Sequence, residues 1–293
     1  MTNLTWPPAF PGVILPRLFS PEFALARWPR SLFRWKLRRV RPGTLERLSG
    51  VPSPQLGNLR DILVHLPASY PKGDHHYPVI YMQDGQNLFD PATSFAGDWG
   101  LVNALATLPR HSVEPIVVAI PNAGEERIQE YSPFLDPKIG GGAGDRYLDF
   151  VLHTLKPLID GRYRTRPAPA ATGIAGSSLG GLISLYGFFR RAGAFGFVAA
   201  ISPSLWFGDK AIFPLVEASP FVPGRIYLDT GTEEGTESLL NARRMRDLLM
   251  KKGYRDGVSL RWVEEAGAGH QEAVWGRRFK AALPFLLSSG EPT

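Results

Sequence analysis

Short apolar runs alternate with longer amphipathic stretches along most of this chain, beginning at Thr44. Thr44 to Ser49 and Leu59 to Leu66 read as two strands joined by the polar loop Gly50 to Asn58, an antiparallel start to a sheet. Val79 to Met82 reads as a short buried strand. Ile116 to Ile120 has no polar position, as expected of a parallel strand covered on both faces. Between these two, Trp99 to Leu108 has helical spacing. After a loop from Pro121 to Gly144, Leu148, Val151, Leu155, Leu158 and Ile159 fall on one stripe of an amphipathic helix. Further strands are expected at Ala171 to Ala175, Phe197 to Ile201, Arg225 to Asp229 and Val258 to Val263. Helices are expected after Gly180, over Glu237 to Lys252 and from about Gln271, with Pro284 kinking or restarting the last one. Strands and helices in this order predict an α/β fold whose mostly parallel central sheet carries helices on both faces.

Residues 1–43 do not share the pattern. They are rich in Pro and Arg and read as an N-terminal extension with one short helix around Pro21 to Leu37, leaving residues 44–293 as the domain. A chain of 293 residues suits a single α/β unit with one large core. Much of the net charge of +6 is local: Arg27, Arg30, Arg34, Lys36, Arg38, Arg39 and Arg41 are interleaved with Trp28, Phe33 and Trp35. Such an arm could meet a membrane surface, nucleic acid or another subunit, which makes it the candidate surface for a homo-oligomer. The preferred reading is blander. The aromatics dock the arm on the domain and the arginines stay in water, as charge runs generally do.

Hydrophobic residues make up 44% and charged residues 20% of the chain, an ordinary globular composition that argues against wholesale disorder. The absence of cysteine excludes disulfides, thiolate nucleophiles and cysteine-bound metals. No basic-then-apolar leader and no run of about 18 apolar residues is present, so a cytoplasmic protein without an integral membrane segment is the expectation.

The candidate chemistry centres on Gly176-Ser177-Ser178-Leu179-Gly180-Gly181, set between an apolar strand and a helix. A G-x-S-x-G run in that context is a nucleophile elbow, with Ser178 at the apex and small residues two positions to either side, where larger ones would collide. An activated serine needs a base. Of six histidines, His65, His75, His76, His111 and His153 precede the elbow, and only His270 follows it, as the hydrolase order of serine, acid, histidine requires. The acid should come from the loop after the strand Arg225 to Asp229. Glu234 is preferred there, with Glu233 and Asp229 behind it. Oxyanion donors are expected from the backbone N–H of Leu179 and, after the strand Val79 to Met82, from that of Gln86 in Asp84-Gly85-Gln86-Asn87. Phe89, Phe95, Trp99, Trp206 and Trp275 are candidates for an aromatic pocket, or for core.

Several stretches, in order over roughly residues 44 to 288, carry a resemblance. They are Tyr81 to Phe89, Arg127 to Pro133, Gly176 to Gly181, Ser202-Pro203-Ser204-Leu205-Trp206, Gly231-x-x-Glu234, and Gly269-His270-Gln271-Glu272 with Trp275. The chain resembles the "putative esterase" family of α/β-hydrolases, the branch holding enterochelin esterase-like and esterase D-like enzymes. The resemblance implies a serine esterase with Ser178, Glu234 and His270 as triad and the Gln86 loop as oxyanion donor. It further implies that Arg127, Tyr131, Trp99 and Trp206 face the substrate. Its acid is a glutamate in a doublet where aspartate is common, and residues 1–43 lie outside the match. Ester hydrolysis through an acyl-enzyme, needing no metal or organic cofactor, is the expected activity on a small-molecule ester. An acyltransferase on the same fold is the first alternative, and a non-catalytic protein binding anionic surfaces through the arm the second. No nucleic-acid partner is expected. Arg127 has a rival assignment, pairing with Glu125, Glu126 or Glu130 at the surface.

Overall fold

The computed structural model describes residues 43–94, 97–108 and 112–288. The expected extension and its short helix, apart from Gly43, lie outside the described residues, as do Phe95 and His111. Ten strands are present among the described residues: β1 (Thr44–Ser53), β2 (Asn58–Leu66), β3 (Val79–Gln83), β4 (Ile116–Ile120), β5 (Leu135–Asp136), β6 (Gly140–Gly141), β7 (Thr172–Ser177), β8 (Phe197–Ile201), β9 (Arg225–Gly231) and β10 (Leu260–Glu265). Eight of them form one sheet in the order β1-β2-β4-β3-β7-β8-β9-β10, and β5 and β6 pair separately. β1 and β2 are antiparallel, as is β2 with β4, and every neighbouring pair from β4 through β10 is parallel.

Two differences from expectation have a local cause. β1 does not end at Ser49: it bulges between Leu48 and Val51 and runs on to Ser53, with Asp61 accepting the Gly50 N–H at 2.9 Å. Pro52 is tolerated because β1 is the edge strand, where a missing donor costs no ladder bond. The stripe over 144–162 buries Leu148, Val151, Leu155 and Ile159 completely but leaves Leu158 39% exposed. A wider turn over Val151–Leu155 rotates the helical turns beyond it. The last helix, Glu272–Leu286, carries Pro284 inside its final turn and stops two residues later.

The period-two alternation of the central strands sends successive side chains to two cores. Val79 and Tyr81, with Ile116, Val118 and Ile120, face one cluster along with the stripe of 144–162. Ile80, Met82, Val117 and Ala119 face the other, covered by Leu101–Ala106 and Glu272–Leu286. Each fully buried aliphatic side chain contributes about 1.5–3 kcal/mol, so the sheet is a rigid platform whose carboxyl-end loops can hold strained conformations. Among the described residues no helix is long and apolar enough to cross a membrane.

Candidate active site

Five non-glycine residues have positive φ among the described residues, and three of them, Asp84, Ser178 and Ser202, directly follow β3, β7 and β8 at the carboxyl ends of neighbouring parallel strands. Backbone strain of this kind persists only where the surroundings over-determine it, and it gathers at functional sites.

Ser178 stands between β7 and the helix Leu179–Arg190 with φ 56° and ψ −122°. A Cβ at Gly176 would lie 2.7 Å from the Gly180 backbone, and one at Gly180 would lie 2.9 Å from Gln83 Cβ, so the turn closes only on glycine. The Ser178 N–H donates to the Ile201 carbonyl at 3.0 Å, and its own carbonyl accepts from Leu182 and Ser204 at 3.0 Å each. The hydroxyl hydrogen-bonds Ser204 Oγ at 3.2 Å; among the described residues it makes no hydrogen bond to His270.

The loop after β3 is held against the elbow: the Cβ that Gly180 lacks would approach Asp84 Oδ2 to 3.3 Å. Asp84, at φ 52°, has its carboxylate gripped by Arg127 (Nε to Oδ1 2.7 Å, Nη2 to Oδ2 2.8 Å) and by Asn122 Nδ2 (2.6 Å). Its N–H donates to the Tyr131 hydroxyl at 3.1 Å. Asn122 also donates its backbone N–H to Gln86 Oε1 at 3.1 Å. The backbone N–H groups of Gln86 and Leu179 donate to no described residue. That of Leu179 is among the first of its helix and has no intrahelical acceptor to find.

Of the three carboxylates left open by the sequence, Glu234 is the one that meets His270, with Oε2 3.2 Å from Nδ1. Glu233 is exposed, and Asp229 Oδ1 is taken by the Ser202 N–H (2.8 Å) and Arg278 Nη1 (3.2 Å). Glu234 Oε1 accepts from Ser202 Oγ (2.7 Å), the Gly231 N–H (2.7 Å) and Arg278 Nη1 (3.1 Å). Burial raises the Glu234 carboxyl, but hydrogen bonds from His270, Ser202 and Gly231 outweigh it and hold the group below the ordinary glutamate value. Burial, only partly opposed by Arg278, pushes Asp229 up to about 7. The His270 side chain is 43% exposed where that of Glu234 is 2%, so the imidazole stands at the mouth with its carboxylate beneath. Trp275 packs edge-on against the imidazole at 4.7 Å.

The remaining expectations divide. Trp206 is 43% exposed beside Ser204 and is open to a ligand. Tyr131 is fully buried behind Asp84, and Trp99 is packed on Trp275 and Phe279. Phe89 stacks on His65, which pairs with Val117 near the amino end of β4, away from the strand ends that carry Ser178 and His270. Tyr131, Trp99 and Phe89 thus build the core or support the site rather than line an open face. Arg127 pairs with Asp84, not with Glu125, Glu126 or Glu130. Sequence reasoning assigns no role to Ser202, Ser204, Asn122 or Arg278. Both serines sit in the Ser-Pro-Ser stretch that ends β8, but an arginine on an amphipathic helix gives no sign that it is buried. No group of three or more His, Asp or Glu among the described residues is arranged to hold a metal ion.

Known proteins share this outline. A family model described as "Putative esterase" matches residues 53–286. The Bacillus subtilis (strain 168) uncharacterized protein YbbA is 28% identical over 252 residues, 81% of this chain and 96% of that one. A siderophore triacetylfusarinine C esterase of Aspergillus fumigatus is 30% identical over 155 residues, 50% of this chain and 49% of its own. Among solved structures, the BES protein from Bacillus cereus superposes with a TM-score of 0.69 at 22% identity, over 83% of this chain and 95% of that one. The siderophore hydrolase EstB from Aspergillus nidulans does so with 0.63 at 22%, over 84% and 96%.

Proposed function

The chain belongs to the esterase family and is a carboxylic ester hydrolase, and from that premise we propose that it works through an acyl-enzyme formed on Ser178. Ser178 Oγ attacks the ester carbonyl while His270 Nε2 takes its proton. Glu234 holds the opposite Nδ1–H and stabilises the imidazolium. The amides of Leu179 and Gln86 receive the oxyanion, each worth a few kcal/mol in the transition state. His270 then protonates the leaving alcohol, and deacylation repeats the sequence with water. The resting Ser178–Ser204 bond breaks when the hydroxyl turns toward the imidazole, since catalytic hydrogen bonds often form only once substrate is bound.

One observation carries this reading: the Glu234–His270 pair and the strained Ser178 turn stand on loops at the carboxyl ends of parallel strands in one sheet. Ser178→Ala should lower kcat on an activated aryl ester by several orders of magnitude with folding intact; retention of most turnover refutes the reading. The same assay with added alcohol separates hydrolase from acyltransferase by product. For the substrate we propose an ester with an aryl or medium acyl group meeting Trp206. Triacetylfusarinine C, in the name of the Aspergillus fumigatus relative, belongs in the panel.

A further inference from the structure

The hydroxyl of Ser202 has no choice about where its proton goes. Trp275 Nε1 and Arg278 Nη1 both donate to Ser202 Oγ, at 3.2 and 2.9 Å, and neither can accept. The O–H must therefore point at its third neighbour, Glu234 Oε1, 2.7 Å away. With the Gly231 N–H and Arg278 Nη1 also on Oε1, that oxygen is gripped from three sides, while Oε2 is left to His270 alone. A carboxylate so held cannot swing, and its free oxygen keeps the imidazole proton on Nδ1.

We propose that Ser202 and Arg278 are positioning residues of the hydrolysis: they lock Glu234 in the orientation that leaves His270 Nε2 unprotonated and turned to Ser178. This rests on the acyl-enzyme reading above. Two further observations point the same way. Ser202 has φ 41°, a conformation glycine takes without strain, so what the serine brings there is its buried hydroxyl. Arg278, almost fully buried, touches Asp229 on β9, Glu234 on the next loop and Glu265 on β10. The charged groups facing Glu234 are His270 from the loop after β10, Arg278 from the last helix and Asp229 from β9.

The test compares Ser202→Gly, Ser202→Ala, Arg278→Lys and Ser178→Ala in the full chain, on one activated aryl ester, with kcat, KM and the pH profile measured beside the thermal midpoint. Ser202→Gly relieves the positive φ but leaves the Trp275 and Arg278 donors without their acceptor, so its midpoint should fall modestly, and it should lose about tenfold in kcat, the size expected for one hydrogen bond to a charged group. KM should not change. The acid limb of the profile should move to higher pH, because a Glu234 carboxylate with one hydrogen bond fewer turns more of its charge on the imidazole that must be unprotonated. Ser202→Ala should show the same loss, and it decides the matter if the glycine variant does not fold. Arg278→Lys keeps the charge but not the fork, and should not restore parental kcat. Folded Ser202 variants with parental kcat and an unmoved acid limb overturn the proposal. Full activity in Ser178→Ala overturns the acyl-enzyme reading instead.

Discussion

Replacing Glu234 by glutamine exchanges one oxygen for an NH2 group, and the structure dictates which one. The Oε1 position faces three donors, Ser202 Oγ–H, the Gly231 N–H and Arg278 Nη1. Putting the amide nitrogen there would set donor against donor, at about 1–3 kcal/mol for each bond left unmade. The amide oxygen must take that place, so the NH2 group points at His270 Nδ1, 3.2 Å from where Oε2 was. Nδ1 then has to accept, the imidazole proton moves to Nε2, and the base proposed for Ser178 is lost. An imidazole locked in the wrong tautomer costs about ten-thousandfold in kcat in serine proteases with a Ser-His-Asp triad, and on the proposed mechanism a loss of that order is expected here with KM little changed. Arg278 also loses an ionic partner. With about 1.5–3 kcal/mol for a hydrogen bond to a charged group and about 2–4 °C per kcal/mol in a domain of this size, the midpoint should fall by several degrees. Hydrolysis of an activated aryl ester reads the first effect and nitrogen-15 NMR of His270 the tautomer. A folded Glu234→Gln variant with kcat within tenfold of the parent would refute the reasoning.

Two further perturbations test the scaffold around the site. In Gly176→Ala the new methyl would stand 2.7 Å from the Gly180 carbonyl group and 2.8 Å from Gln83 Cγ. Overpacking against backbone should cost about 1–3 kcal/mol or more and displace Ser178, so the midpoint and kcat should fall together; an unchanged midpoint would mean the strand-to-helix contact is loose. Asp229 bears on stability rather than rate. Its carboxyl is pushed up to about 7 in the fold, above its value in the unfolded chain. Between pH about 4 and 7 the native state therefore holds a proton the unfolded state has lost, and stability from this group falls as pH rises through that window. Asp229→Asn should remove this slope, raising the midpoint relative to the parent more at about pH 8 than at about pH 5; equal differences at both would argue against it.

What the sequence determined by itself is what short-range rules govern. Period-two and period-3.6 patterns located β4 and β8 to the residue and the remaining main strands to within a few positions. The glycine spacing around Ser178 identified the turn, because a strained bend without room for a Cβ leaves a local signature. The chain order picked out His270, which in the structure sits on Glu234. The sequence ranked Glu234 ahead of Glu233 and Asp229, but only the tertiary structure decided which carboxylate reaches the imidazole, because that depends on where β9 ends and how the loop after it turns. It alone paired Arg127 with Asp84 across 43 positions and Arg278 with Ser202 across 76, and it turned Tyr131 and Trp99 inward. The physical reason is the same throughout. Backbone conformation is set by neighbours along the chain, whereas the partner of a buried charge is set by which strands lie side by side. Two loops far apart in sequence meet there only after the sheet has formed.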